Sequence, residues 1–280
     1  MTAPRFQGDP PTHFLSPLLE DAGVPHLFTT RSFPGVTAFR DPFPPLGPEA
    51  QPLLAEHGLG AEPAAFLKQV HGAQVLRATV GGCAGKADVL MTDRPGLPIA
   101  VFSADCVPLL IYDPDGRRLA VVHAGWRGTA QSAARAAVLA LVEAGGRPEG
   151  FLAAVGPSIG PCCYEVDKPV IARLDAAFPG RWGAWVRSVG AGKWMLDLWA
   201  ANEDQLRSAG IHSDKVDNPR LCTGCRTDLF YSYRRGQNGR LVSVAALPLI
   251  DSALASPLEA SVSARNAALS PTREEADVAC

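Results

Sequence analysis

Residues 103–125 read Ser-Ala-Asp-Cys-Val-Pro-Leu-Leu-Ile-Tyr-Asp-Pro-Asp-Gly-Arg-Arg-Leu-Ala-Val-Val-His-Ala-Gly. No other segment narrows the possible folds as far. Two apolar runs flank Asp113-Pro-Asp-Gly116, where Pro presets φ and Gly accepts positive φ. The segment therefore reads as an antiparallel hairpin. If Asp113 opposes Gly116, opposed positions sum to 229, and Cys106 lies across from His123. Opposed side chains share a face, with Cβ atoms about 4.5–5.5 Å apart. A thiol and an imidazole so placed can ligate zinc, form a nucleophile–base dyad, or simply be a buried Cys beside a structural His.

His71, in Lys68-Gln-Val-His-Gly72, supplies a third donor between two apolar strands. A set of two imidazoles and one thiolate with an open fourth position is the arrangement of a catalytic zinc. After His123 comes Ala-Gly125-Trp-Arg-Gly128-Thr, leading into a helix expected over 129–144. Its glycines permit close backbone approach. Free N–H groups at a helix start, with the Arg127 fork, favour phosphate or carboxylate. A tight strand-to-helix turn with an exposed Arg is the plainer alternative.

The rest of the chain of 280 residues sets the context. Strands are expected near 74–80, 88–92, 97–103, 107–112, 118–123, 151–155 and 240–250, and helices near 166–177 and 197–208. Strands cluster and then mix with helices without a βαβ rhythm, so the expected class is α+β. Residues 1–20 read as loosely ordered. Residues 34–52 hold six prolines and read as a surface loop. The expected division is an N-terminal extension at 1–24, a single catalytic domain at 25–250 and a mobile tail at 251–280.

Lys+Arg number 26 against 28 Asp+Glu, a net charge of −2, which gives no support to nucleic-acid or anionic-membrane partners. The longest apolar run, 136–142, falls far short of the ~20 residues a bilayer needs. Residues 1–11 show no secretory pattern, and the odd count of seven Cys suits a reduced, cytoplasmic setting. Cys222-Thr-Gly-Cys225 is half a zinc ribbon without a second pair at ligand spacing. The adjacent Cys162-Cys163 offers poor geometry for one tetrahedral metal, so free loop thiols are expected there. The sequence has no dinucleotide fingerprint, P-loop, nucleophile elbow or cytidine-deaminase signature.

Together these stretches resemble the YfiH/YlmD-like laccase-domain family, also called polyphenol oxidase or purine nucleoside phosphorylase. The matching text is Phe28-Thr-Thr-Arg31, Lys68-Gln-Val-His-Gly72, Ala87-Asp88, Ala104-Asp-Cys-Val-Pro108 and His123-Ala-Gly-Trp-Arg-Gly128. It continues through Gly156-Pro-Ser-Ile-Gly160, Cys162-Cys-Tyr-Glu-Val166, Lys193-Trp194, Leu196-Asp-Leu198, Cys222-Thr223 and Phe230-Tyr-Ser-Tyr-Arg-Arg235. One departure stands at 32–37, where Ser-Phe-Pro-Gly-Val-Thr replaces the family's Gly-Gly-Val-Ser run.

The resemblance implies a layered α/β/β/α sandwich of mixed sheets, shared distantly with cytotoxic necrotizing factor deamidases. It implies zinc on His71, Cys106 and His123, with copper only as an adventitious occupant. It also implies phosphorolysis of adenosine, inosine and methylthioadenosine, with adenosine deaminase activity beside it. The expected small-molecule partners are a nucleoside and phosphate. Catalytic candidates are Cys106, His123, Asp105 and Lys68, with Tyr164 and Glu165 as further proton donors. Arg127, Gly125, Gly128, Arg31 and Tyr164 are the candidate substrate or phosphate contacts. A competing class is a Cys/His or zinc amidohydrolase editing peptidoglycan precursors. A multicopper phenol oxidase needs more ligands than six His without a His-x-His pair provide.

Overall fold

Ile99–Ser103, Val107–Asp113 and Leu241–Ala245 are among the strands buried along their whole length in the computed structural model. They read as continuous apolar runs because layers cover both of their faces. The structure describes residues 4–36 and 46–249. The first sheet runs Arg5–Gln7, His13–Leu15, His26–Thr29, Leu241–Ala245, Ile99–Ser103, Ala65–Lys68, Gly82–Lys86. The second runs Val216–Asp217, Leu152–Val155, Val107–Asp113, Arg118–Ala124, Val89–Thr92, Val75–Arg77. A small third sheet joins Glu165–Asp167, Lys193–Leu196 and Val186–Gly190.

The two large sheets face each other across Phe14, Phe28, Ile99, Leu110, Val121 and Phe230. Leu109, Ile111, Val122 and Ala120, on the other face of the second sheet, pack against the helices Ala133–Glu143 and Leu198–Ser208. Leu27, Ala100, Phe102 and Val244, on the outer face of the first sheet, pack on the helix Gln51–Glu56 and its lead-in Pro48–Ala50. The architecture is α+β, in the layer order α/β/β/α. Alternation along Arg118–Ala124 sends Leu119, Val121 and His123 to the inter-sheet side, so His123 sits at one end of the layer between the sheets.

The hairpin forms, with its register two residues from the expected one. Asp113 opposes Arg118 and His123 opposes Pro108, so Cys106 does not pair with His123. The turn is residues 114–117, with Arg117 at φ 48°. Asp113 accepts the Gly116 N–H at 3.0 Å and the Arg118 guanidinium at 2.7 Å, which holds residue 118 rather than 116 at the first rung. The shift is even, so the face on which His123 projects is unchanged.

The helix expected over 129–144 is two helices, Trp126–Ala130 and Ala133–Glu143. Ser132 is left-handed at φ 64°. The Gln205 amide donates to the Thr129 carbonyl at 2.8 Å, and the Asn202 amide donates to the Thr129 hydroxyl at 3.0 Å. Residues 165–167, read in part as helix, form a strand, and the helix Lys168–Ala177 starts with Pro169 in its first turn, where no N–H is missed. Residues 4–20 are less loose than expected: Arg5–Gln7 and His13–Leu15 extend the first sheet, and Phe14 is buried. Part of the proline-rich segment is helical, at Pro48–Ala50 and Gln51–Glu56. The expected tail at 251–280 lies outside the described residues. No helix among the described residues is long and apolar enough to cross a membrane.

Candidate metal centre

Two connections between the large sheets and the end of a strand of the second sheet meet at one end of the inter-sheet layer. His71 lies in the turn after Ala65–Lys68 of the first sheet, and Cys106 lies in the bend from Ile99–Ser103 to Val107–Asp113. His123 comes from Arg118–Ala124 of the second sheet. One donor atom from each lies within 4.8 Å of the others. Cys106 Sγ is 3.9 Å from His71 Nε2, and the two imidazole rings are 4.8 Å apart, nearly perpendicular. Both bends are built on unusual backbone, with His71 at φ 60° and Asp105 at φ 89°.

Asp88 organises this group from behind. It is fully buried between Gly82–Lys86 and Val89–Thr92. One carboxylate oxygen accepts the His71 N–H at 2.9 Å and faces His123 Nδ1 at 2.8 Å. The other accepts the Val70 and Gly72 N–H groups at 3.1 and 2.6 Å. An ionised carboxylate only accepts, so Nδ1 of His123 carries a proton and Nε2 faces the cleft. Burial works against the charge on Asp88, but its bonds to His123, Gly72 and His71 hold its pKa below the usual value. Burial likewise opposes charge on Cys106 and His123. Their mutual attraction, with Asp88 behind His123, brings the thiol down to about 6 and lifts the imidazole to about 9.

The glycines of the 125–128 loop are explained by this packing. A Cβ on Gly125 would stand 2.7 Å from Cys106 Sγ and 3.2 Å from the His71 ring. One on Gly128 would stand 3.1 Å from the Gly72 carbonyl. The helix that follows has one short turn, Trp126–Ala130.

A cleft of about 410 Å³ opens over the three donors, walled by Gln69, Phe102, Ser103, Arg127, Tyr233 and Arg240. Arg127 lies 4.4 Å over the Trp126 ring. Gln69 is fixed by two 2.8 Å bonds to the Phe102 backbone. The Ser103 hydroxyl is buried and makes no hydrogen bond among the described residues.

The other expected site residues stand back from the cleft. Asp105 accepts the Thr223 hydroxyl at 2.6 Å and the Arg234 N–H at 2.7 Å, so both its oxygens are engaged. Arg31 donates to the Thr227 carbonyl at 2.6 Å and stacks on Tyr231. Tyr164 lies under Arg234, and its hydroxyl is pushed up by burial and by the nearby Cys106. Lys68 ends its strand three residues before His71, and Glu165 opens the third sheet. Asp88, Gln69, Ser103, Phe102, Tyr233 and Arg240 were not among the sequence candidates. For Asp88 the signal was its place in the Ala87-Asp88 motif.

The fold and this donor set define a known family. The chain belongs to the family described as multi-copper polyphenol oxidoreductase laccase, whose model matches residues 49–248. It is 40% identical over 248 residues to a protein of Deinococcus radiodurans named purine nucleoside phosphorylase, covering 83% of this chain and 93% of that one. Among solved structures it is similar to YlmD from Geobacillus stearothermophilus, with TM-score 0.74 and 28% identity, covering 87% of this chain and 99% of that one. It is also similar to Bacillus licheniformis YfiH, with TM-score 0.71 and 29% identity, covering 86% and 98%.

Proposed function

We propose that the chain is a zinc-dependent purine nucleoside phosphorylase acting on adenosine, inosine and methylthioadenosine, with adenosine deamination at the same centre. The observation that carries the reading is the convergence of His71, Cys106 and His123 beneath a cleft that also presents Arg127 and Arg240. Two imidazoles and a thiolate suit zinc, with one coordination position left toward the cleft. They are too few for a multicopper cluster, so copper would be adventitious here. When bound, zinc supplies a Lewis acid that polarises a substrate oxygen. The name of the Deinococcus relative supports the reaction class.

The chain's own groups fit phosphorolysis. Arg127 and Arg240 line the cleft as cations for phosphate. The exposed ring of Tyr233 at the cleft wall suits a purine face. In the reaction a phosphate oxygen bonds to C1′ while the C1′–N9 bond breaks. The electron pair and a proton go to the departing purine. Asp105 acts by holding the bend before Cys106, not by touching substrate.

The experiment is hypoxanthine release from inosine as phosphate is titrated, for the parent and for Arg127→Ala. The variant should raise the phosphate requirement more than the nucleoside requirement. Equal changes in both would remove Arg127 from phosphate binding, and release that ignores phosphate would make the protein a hydrolase.

One arrangement favours a second reading. Cys106, His123 and Asp88 stand in the order of a nucleophile, a base and an orienting carboxylate. That set suits amide cleavage, as in editing an amino-acid-bearing cell-wall precursor. Turnover of such an amide by zinc-free protein, abolished by Cys106→Ser, would establish it.

A further inference from the structure

The CxxC half-motif and the adjacent cysteines, expected to be free loop thiols, come together. The Sγ atoms of Cys162, Cys163, Cys222 and Cys225 all lie within 4.8 Å of one another. Cys225 Sγ is 3.4 Å from both Cys162 Sγ and Cys163 Sγ. A disulfide bond is about 2.05 Å long, so these are not bonded pairs, and all four thiols are free. One sulfur equidistant from two others points to a common centre rather than to a bond with either. Four thiolates at about 2.3 Å from one zinc stand about 3.8 Å apart along each tetrahedral edge. The two 3.4 Å separations lie close to that value, and none of the others exceeds 4.8 Å.

The surroundings match a ligand shell. Gly160 N–H is aimed at Cys222 Sγ at 3.2 Å, and the Arg235 guanidinium at Cys163 Sγ at 3.3 Å. Donors of this kind stabilise ligating thiolates and offset their charge. Cys225 and Arg226 both donate their N–H groups to the Cys222 carbonyl, at 3.2 and 3.0 Å, closing a tight knuckle. Inside it, a Cβ on Gly224 would stand 2.9 Å from the Cys163 Cβ, so a larger residue would part the two loops. Adjacency of Cys162 and Cys163 does not prevent convergence, because the turn at 161–163 brings both sulfurs to the knuckle.

We propose that Cys162, Cys163, Cys222 and Cys225 form a second, structural zinc site of four thiolates, distinct from the His71–Cys106–His123 centre. It clamps the loop after Leu152–Val155 to the loop after Val216–Asp217. Those loops otherwise touch through few backbone bonds, among them Ser158 N–H to the Leu221 carbonyl and Thr223 N–H to the Ser158 carbonyl, both at 3.1 Å. A closed set of four thiolates leaves no position for substrate, so the role is to brace these two loops against each other.

The test counts metal and does not depend on any reaction. Full-length protein is purified under reducing, metal-replete conditions, and zinc is measured per chain. The His71→Ala/Cys106→Ala variant, which removes two donors of the first centre, should retain one zinc equivalent. Adding Cys225→Ser, at an exposed position, should remove that equivalent while circular dichroism shows the fold intact. Cobalt loaded into the double variant should give the absorption of a tetrahedral tetrathiolate. A double variant without zinc would overturn the proposal. So would zinc unaffected by both Cys225→Ser and Cys222→Ser, or a disulfide among the four in anaerobically purified protein.

Discussion

Replacing Asp88 with Asn keeps the side chain's shape and exchanges one acceptor oxygen for a donor. Four N–H groups converge on the carboxylate, two on each oxygen: His71 and His123 on one, Val70 and Gly72 on the other. However the amide is turned, one pair of donors meets an NH2 group. Each hydrogen bond to a charged group contributes about 1.5–3 kcal/mol, so losing two costs about 3–6 kcal/mol. If the NH2 faces Val70 and Gly72, the turn carrying His71 loosens. If it faces His123, the imidazole must place its proton on Nε2, toward Cys106, where a metal needs a lone pair. Either way the metal site suffers, and loss of such a supporting group lowers metal affinity by about 10–100-fold. Competition for zinc against a chelator and urea unfolding of the same preparations divide the cost between binding and folding. A variant that matched the parent in both zinc affinity and unfolding midpoint would refute the role assigned to Asp88.

Other outcomes follow from single positions. Gly125→Ala pushes a methyl against Cys106 and His71 and should cost about 1–3 kcal/mol with loss of zinc, as in other overpacked sites, whereas Gly183→Ala, with open space around it, should be neutral; zinc analysis and thermal melts compare the two. Ser103→Ala removes a buried hydroxyl without a partner among the described residues, so the melting temperature should hold or rise in thermal melts, and a fall of several degrees would contradict that reading. His26 is buried with Nε2 accepting the Ser16 N–H and Nδ1 donating to the Val24 carbonyl, and burial chiefly brings its pKa from 6.5 down to about 4. The unfolded chain therefore takes up this proton first: the stability is full above pH 6.5 and is lost as pH falls toward 4, by about 3 kcal/mol. Urea midpoints across that range should fall less steeply in His26→Gln, and equal slopes would contradict the assignment.

Much of the site was legible in the sequence because its donors are chemically conspicuous. His71 stands between two strands, and Cys106 and His123 flank a turn of recognisable composition. The even periodicity of strands kept His123 on its face even though the register moved by two. The turn's length was not legible, because it depends on Asp113 binding both Gly116 and Arg118. The role of Asp88 was not legible beyond its place in a motif, because it acts largely through backbone N–H groups of the 70–72 turn. No residue pattern in that turn announces the need for a carboxylate. The break at Ser132 was hidden for a similar reason, since Asn202 and Gln205 act on Thr129 from another helix. The four-cysteine cluster is not legible in sequence spacing, because two loops far apart in sequence assemble it. The strands Arg5–Gln7 and His13–Leu15, three residues each, are too short to show periodicity.

The central claim is that this centre transfers the ribosyl group of a purine nucleoside to phosphate. Its most direct test is the identity of the sugar product when zinc-loaded protein consumes inosine in phosphate buffer. Ribose 1-phosphate is expected in equal amount to hypoxanthine, with neither formed by Cys106→Ala. Free ribose, or no hypoxanthine from a preparation shown to hold zinc at His71, Cys106 and His123, would contradict it.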